Sequence, residues 1–509
     1  MKPDRPGFVT PTMRLSLSPQ EAWQPLPAAE WTTDAARHLL RRAGWTARTE
    51  DVTRATQEGL SATLDRLFPA ALPRLEKPRL VARFEETALN VQQSLQGKTG
   101  DERLRGQREL QERSRIAIQE LSIKWLQFAS VPAHSALAKW VLFLSDVYVI
   151  AADKVRNAGV VYQHFDILAQ NGFGPAPALA KAVSRSPAMV IYLDLAQSRL
   201  RAPNENFARE LFELFVLGEG NYTEADIKEA ARAFTGYRTR PEGGFRLDLR
   251  QQDLREKTLF GQKGKFTGDD VIDLAYRQPA AATFLPREMA RTYLSDSALP
   301  AEHLAALGEL WRAGGLELQS LVRQFFSSRL FFAPEFRGNV IKSPIQFYLG
   351  LVQDLGLDVA PIPRLTLTPL RQMGQALFYP PNVRGWVGGR QWINSATLTA
   401  RRQFVESLFN AIDENTLNAD EQIELVAART NGIHHFTVTD PDLEPLAQLA
   451  PSAAAGRLVD DLLPGAGATD VRESLQQFIA TGPTDPRQRL RRLRRAAVTV
   501  MQSPEYQLC

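Results

Sequence analysis

The sequence predicts an all-α protein of large, multi-helix, single-unit architecture, with a small β-hairpin or irregular insertion around residues 237–266. Three observations predict it. Apolar residues recur at intervals of three and four through most of the chain, the period of an amphipathic helix and not of a strand. Helix start and stop residues fall at the ends of these periodic stretches. Finally, 44% hydrophobic content in 509 residues provides enough apolar side chain for a large core and excludes disorder as the dominant state.

Taken in order, residues 1–30 read as an extended N-terminal segment. Pro6, Pro11, Pro19, Pro25 and Pro27 punctuate it, and it lacks the apolar run of a signal peptide, so a cytoplasmic location is expected. Residues 31–412 form the expected helical core and 413–509 a C-terminal helical subdomain packed on it, with a connector at Gly465 and Gly467. Leu80 to Ser130 reads as one or two long, strongly charged helices. In the stretch from His134 to Tyr148, Leu137, Trp140, Val141, Leu144 and Tyr148 make one stripe. The apolar run Trp140–Ala152 is interrupted by Ser145 and Asp146 and is too short to span a bilayer, so it is expected to be a buried helix.

Asn204–Leu217 reads as a helix with Phe207, Leu211 and Leu214 facing inward and Gly218 as its stop. Thr223 starts the next helix, with Glu224 and Asp226 in its first turn and Gly236 closing the segment. Turn residues including Pro241, Gly243 and Gly244 mark the 237–266 insertion. Ser343, Pro344 and Gln346 signal a cap, a proline at the first helical position and a capping-box partner. Lys342 beside that cap is a candidate for holding an anion at the positive helix end, although capping alone accounts for the pattern. Tyr379–Trp392, rich in proline and glycine around two tryptophans, reads as a structured loop.

Composition and failed motifs remove several function classes. Lys plus Arg is 61 and Asp plus Glu 57, a net charge of +4, so nucleic acid is not the expected partner. Cys509 is the single cysteine, so neither an intrachain disulfide nor a cysteine-based metal site is expected. Gly264–Lys265 fails as a phosphate loop because Leu259 and Phe266 occupy the required glycine and hydroxyl positions. Gly172 and Gly174 lack the third glycine of a dinucleotide fingerprint. His38, His134, His164, His303, His434 and His435 show no metal-ligand spacing and read as surface or core residues.

The strongest local constellation is NENFARELFE, Asn204 to Glu213. On a helix, Asn206, Arg209, Glu210 and Glu213 fall at i, i+3, i+4 and i+7 and share one face. With Asn204 and Glu205 they make a candidate polar cleft, against the plainer alternative of a solvated face held by internal ion pairs. A second candidate is the loop Pro380–Ser395, where Asn382, Arg384, Trp386, Arg390, Trp392 and Asn394 gather. Its tryptophans and Arg390 offer stacking surfaces and a cationic fork for a sugar or acidic ligand; the alternative is that the tryptophans plug the loop onto the helices.

The segment through LGEGNYTEADIKEAARAFTGY (Leu217–Tyr237) resembles the bacterial domain of unknown function 1800 family. Further matches follow in order: HLLRRAGWTA (His38–Ala47), SRSPAMVIYLD (Ser184–Asp194), GDDVIDL (Gly268–Leu274), KSPIQF (Lys342–Phe347), PPNVRGWVGGRQWINSATL (Pro380–Leu398) and SPEYQL (Ser503–Leu508). The resemblance covers nearly the whole chain. It implies a large, mostly helical protein, often encoded beside a companion of the domain of unknown function 1501 type that looks like a sulfatase or phosphatase relative. It brings no reaction with it.

This chain departs from the family pattern at two places. Where many members carry a Trp-His-Asn-His run, it has Leu144, Ser145, Asp146 and Val147. Where many carry a His-Asp pair ahead of Lys-Thr, it has Gln252 and Asp253 ahead of Lys257 and Thr258. The expected function is therefore a non-catalytic or degenerate member acting in binding or assembly, with a protein partner. No cofactor or metal ligand is assigned and the catalytic residues are unknown. One alternative is an enzyme with an oxygen-ligand metal site or acid/base pair drawn from Glu205, Glu210, Glu213 and Asp146. Another is polyanion or membrane-surface binding through Arg487, Arg489, Arg491, Arg492, Arg494 and Arg495, beside a stripe of Leu490, Leu493 and Ala497.

Overall fold

The computed structural model describes residues 13–69, 73–94, 97–240, 243–464, 469–481 and 485–509. Residues 1–12, Pro241, Gly465 and Gly467 lie outside that set, and with them the first part of the expected N-terminal segment and the expected C-terminal connector. Among the described residues the chain forms 24 α-helices and only two small sheets, each an antiparallel pair of strands.

The helix Ser135–Val147 lies at the centre. Every one of its residues is buried except Asp146, so the polar interruption seen in the sequence is where the helix reaches the surface of the core. Trp140 donates its indole N–H to the Gly172 carbonyl at 2.7 Å. Lys139 satisfies its buried ammonium on the carbonyls of Arg42 and Gly44, at 2.7 and 2.9 Å, and burial pushes its pKa down to about 7. The charged stretch forms two helices, Arg79–Ser94 and Asp101–Ser130; the second is solvated in its first half and buries Ala117, Ile118, Leu121, Trp125 and Leu126 in its second.

One continuous apolar core runs from Ala22 to Tyr506. A separate small cluster joins Ala360 and Ile362 to Leu417, Leu425, Ala428 and Phe436. The chain past residue 413 thus first packs on the 360–362 segment and returns to the main core from Val438 onward. Residues 13–30 are only partly extended: Pro19–Ala22 is a helical turn closed by a Ser18–Glu21 capping box, and Trp23 behind it is buried with its indole on the His303 carbonyl. No described helix is long and apolar enough to cross a membrane.

The 237–266 insertion contains two hairpins where one was expected. Tyr237–Thr239 pairs with Phe245–Leu247, and Lys257–Leu259 with Gln262–Gly264. The second turns through Phe260 and Gly261, both at positive φ (47° and 76°), as a two-residue hairpin turn with the right-handed strand twist requires. Phe260 tolerates this because its amide donates to Asp226 at 2.7 Å and its ring packs on Phe212 at 5.2 Å.

Two start signals resolve differently. Thr223 and Asp226 form the full reciprocal capping box of Glu224–Ala233. Ser343 accepts from the Gln346 amide at 3.2 Å, but the Gln346 side chain donates to the Arg41 carbonyl instead of closing the box. That side chain is buried, and a buried carbonyl without a donor costs more than an incomplete cap. Lys342 is buried too, its ammonium 3.6 Å from the Tyr506 ring centre and its pKa pushed by burial to about 8, so it does not stand free at the helix end. Among the buried histidines, His164 bonds Ser186 and the Tyr148 carbonyl, and burial pushes its pKa down to about 4.

Candidate functional site

The expected helix over Asn204–Leu217 is α-helical only for Asn206–Glu210; Leu211–Val216 continues it as a π-helix. Here the amides of Leu217 and Gly218 both donate to the Phe212 carbonyl. A π-turn inserts residues relative to the α-period and often re-aims side chains at functional positions. The apolar side is consequently carried by Phe207, Leu211, Phe212, Phe215 and Val216, all buried, whereas Leu214 is only half-buried. Gly218, at φ 81°, ends the turn as expected and swings the chain back over it.

The six residues of the predicted cleft separate into three groups. Asn204 accepts from the Asn206 amide at 2.9 Å, and Asn206 is exposed. Arg209 pairs with Glu224 at 2.8 Å and with Glu205 at 3.3 Å, a surface network. Glu210 and Glu213 turn inward. Glu213 accepts from the Tyr222 hydroxyl at 2.9 Å and from Arg384 at 2.8 Å, and Arg384 also holds Glu219 at 2.7 Å.

The Arg384 contact joins the two candidate regions, 171 residues apart in the chain. The loop is seated a second time where the Trp386 amide donates to Asp146 at 2.9 Å. The intervening Gly385 has φ 71°, and a Cβ there would overlap the Asp146 carboxylate. Only glycine allows the loop to lie on the end of the central helix. Gly389 repeats the device, at φ 56° and with no room for a Cβ beside Asp296.

Of the predicted loop residues, Arg384 and Trp386 therefore join the cleft. Asn382 supports Arg384 by accepting its amide at 2.8 Å. The others face elsewhere: Trp392 is buried, Asn394 caps Ser395–Leu408, and exposed Arg390 acts electrostatically on Asp296. Tyr222 and Glu219 were missed by sequence reasoning. The two-glycine turn at Gly218 and Gly220 was the available signal, since it folds Tyr222 back onto a residue nine positions earlier.

Glu210 differs from its neighbours. Burial, with the Glu213 carboxylate adding to it and Arg384 and Arg209 opposing, pushes its pKa up to about 7. Tyr192 lies close enough for Glu210 to contribute to its own rise, to about 12, which is caused first by burial. The site thus holds a carboxyl with a pKa near neutral pH, next to one hydrogen-bonded on both oxygens. Among the described residues, no group of three or more His, Cys, Asp or Glu side chains is arranged to hold a metal ion.

The group around Asp253 and Lys257 has a different environment. Asp253 is completely buried and accepts from Arg255 at 2.5 and 3.0 Å and from Arg232 at 2.9 Å. The Arg255 hydrogen bonds, helped by Arg232 and opposed by burial, hold its carboxyl well below the usual range. Lys257 closes the group by donating to the carbonyls of Asp253 and Arg255 at 2.6 and 3.0 Å.

On the basic terminal helix Pro486–Gln502, Arg489, Arg492 and Arg494 bind carbonyls of Leu449, Phe478 and Phe409. Arg487, Arg491 and Arg495 are exposed, spaced four apart along one face.

Fold and site together define a helical protein in which a glycine-rich loop is seated on a polar helix face through Arg384 and the Trp386 amide. The chain matches the family described as Protein of unknown function (DUF1800) over residues 38–508, and it belongs to that family. No curated protein and no solved structure matches it.

Proposed function

We propose that this chain is a non-catalytic binding or assembly protein, with a protein partner of the domain of unknown function 1501 type as the companion the sequence resemblance suggests. One observation carries the reading: two of the three acidic groups, Glu213 and Asp146, are used within the protein, Glu213 by Tyr222 and Arg384 and Asp146 by the Trp386 amide. Carboxylates so engaged hold the loop in place and have few lone pairs left for a cation. A cytoplasmic location belongs to the same reading and rests on the sequence alone. The test is co-expression of the full chain with a protein of the domain of unknown function 1501 type, followed by size-exclusion chromatography with light scattering. A stoichiometric complex is expected; two separate peaks at micromolar concentrations overturn the proposal.

A second reading, acid/base or metal chemistry at the cleft, is favoured by Glu210, whose carboxyl has no hydrogen-bond partner among the described residues and a pKa near 7. Elemental analysis of protein purified without chelator, beside Glu210→Gln, separates the two. About one Mg²⁺ or Mn²⁺ per chain that disappears in the variant supports the second reading, and its absence from both supports the first. Polyanion binding has three exposed arginines to draw on, Arg487, Arg491 and Arg495. A salt-sensitive shift of DNA or anionic vesicles that is lost on changing all three to glutamine would establish it.

A further inference from the structure

A cavity of about 240 Å³ lies between the long helix Asp101–Ser130 and the helix Pro363–Gln372, away from the cleft. One helix contributes Arg115 and Gln119, the other Leu370 and Arg371, and the following loop Leu377 and Tyr379. Leu370 and Leu377 are buried and give it an apolar floor; the two arginines are exposed at its mouth. Arg115 is held by Glu112 at 2.5 Å, whereas the Arg371 guanidinium makes no hydrogen bond or ion pair among the described residues.

The wall at Tyr379 is set by an uncommon backbone. Phe378 has φ 67°, a region bulky L-residues rarely occupy, and it is fixed there because its carbonyl accepts from the Ala152 amide at 2.9 Å and its ring packs edge-on against Phe165 at 4.5 Å. The next residue, Tyr379, is half-buried with Arg371 and Arg115 acting on its ring hydroxyl, which makes no hydrogen bond to the described residues. A strained turn has placed a free phenol beside a free guanidinium over an apolar floor.

We propose that this cavity binds a small organic carboxylate with an apolar or aromatic body. The body rests on Leu370 and Leu377, and the carboxylate accepts from the Arg371 guanidinium and the Tyr379 hydroxyl. The fork of Arg371 suits a planar two-oxygen anion. The volume, equivalent to about eight water molecules at the liquid density, admits a body no larger than about one aromatic ring with a short linker. A hydrophobic pocket with a few converging polar groups is the general form of such sites. This site shares no residue with the cleft, so its fate is independent of the reading above.

The test is calorimetric titration of the full chain with 3-phenylpropanoate, with 3-phenylpropan-1-ol and inorganic phosphate in parallel. Saturable binding of the acid is expected with a dissociation constant of about 0.1–1 mM. The alcohol and phosphate are expected to bind at least about tenfold more weakly, because each lacks one half of the recognition. Arg371→Gln, an exposed position whose change should leave the melting temperature in place, is expected to weaken the acid by about tenfold, and Ala376→Trp, at a residue that also lines the cavity, to fill it and abolish binding. No saturable binding of the acid up to 10-fold above that range overturns the proposal. So does equal binding by the alcohol, by phosphate alone, or by Arg371→Gln.

Discussion

Glu210 and Asp253 are both carboxylates withdrawn from water, yet their pKa values shift in opposite directions. Asp253 is enclosed by two guanidiniums that hydrogen-bond it directly, and its carboxyl is held far down. Glu210 has Arg384 and Arg209 only as more distant charges while a second carboxylate, Glu213, stands beside it, and its pKa rises to about 7. Burial alone does not decide the charge of an acidic side chain. What decides it is whether donors arrive at hydrogen-bond distance to replace the lost water. The Asp253 group is a finished structural knot; the Glu210 group retains a proton that the protein has not tied down.

The comparison breaks most severely if the loop leaves the cleft. Gly385→Ala puts a Cβ into the Asp146 carboxylate at a positive φ, and is expected to cost about 3 kcal/mol. Urea unfolding measures it; a loss under 1 kcal/mol would show that the loop is not seated as described. Asp253→Asn should cost somewhat less, about 2 kcal/mol, because exposed Arg255 can return to water while Arg232 is left short of a partner. Its folded pKa is depressed, so the native contribution is complete above about pH 4, the unfolded value, and is lost as the pH falls below it. The gap between wild type and variant should close on acidification, and a constant gap would contradict the assignment.

Glu210→Gln should act with the opposite sign. An unfolded glutamate releases its proton near pH 4.3, while the folded one holds it to about 7. Between those values the native state binds more protons, so stability falls as the pH rises through the window and stays reduced above it. The glutamine variant is expected to match wild type at pH 5 and to exceed it by about 2 kcal/mol at pH 8, after discounting for partial exposure. Equal stability at both pH values would place Glu210 in water. The smallest effect is that of Arg384→Gln, about 1 kcal/mol of stability. Because Arg384 opposes the rise at Glu210, the variant should move that titration above 7, visible in carboxyl carbon NMR; an unchanged midpoint would separate the loop from Glu210.

Much of the fold was legible because helices are local. The stripe along Leu137, Trp140, Val141 and Leu144 corresponds to the buried helix Ser135–Val147, and Thr223 with Asp226 forms the cap its spacing suggests. The second hairpin was not legible, since Phe260 in a left-handed turn is tolerated only through Asp226 and Phe212, neither of them near it in sequence. At Gln346 the capping-box pattern was half misleading because a distant carbonyl, that of Arg41, competed for the same amide.

The candidate site divides along the same line. The amino-acid sequence by itself determined the family, the helical class and the two segments that carry the polar residues, because periodicity, caps and motif order are properties of neighbours in the chain. Tertiary structure alone decided that Glu213 meets Arg384, that Asp146 receives the Trp386 amide, and that Glu210 has no donor among the described residues. The physical reason is that a side chain's partners and its exposure to water, and hence its charge, depend on segments whose separation along the chain says nothing of their distance in space.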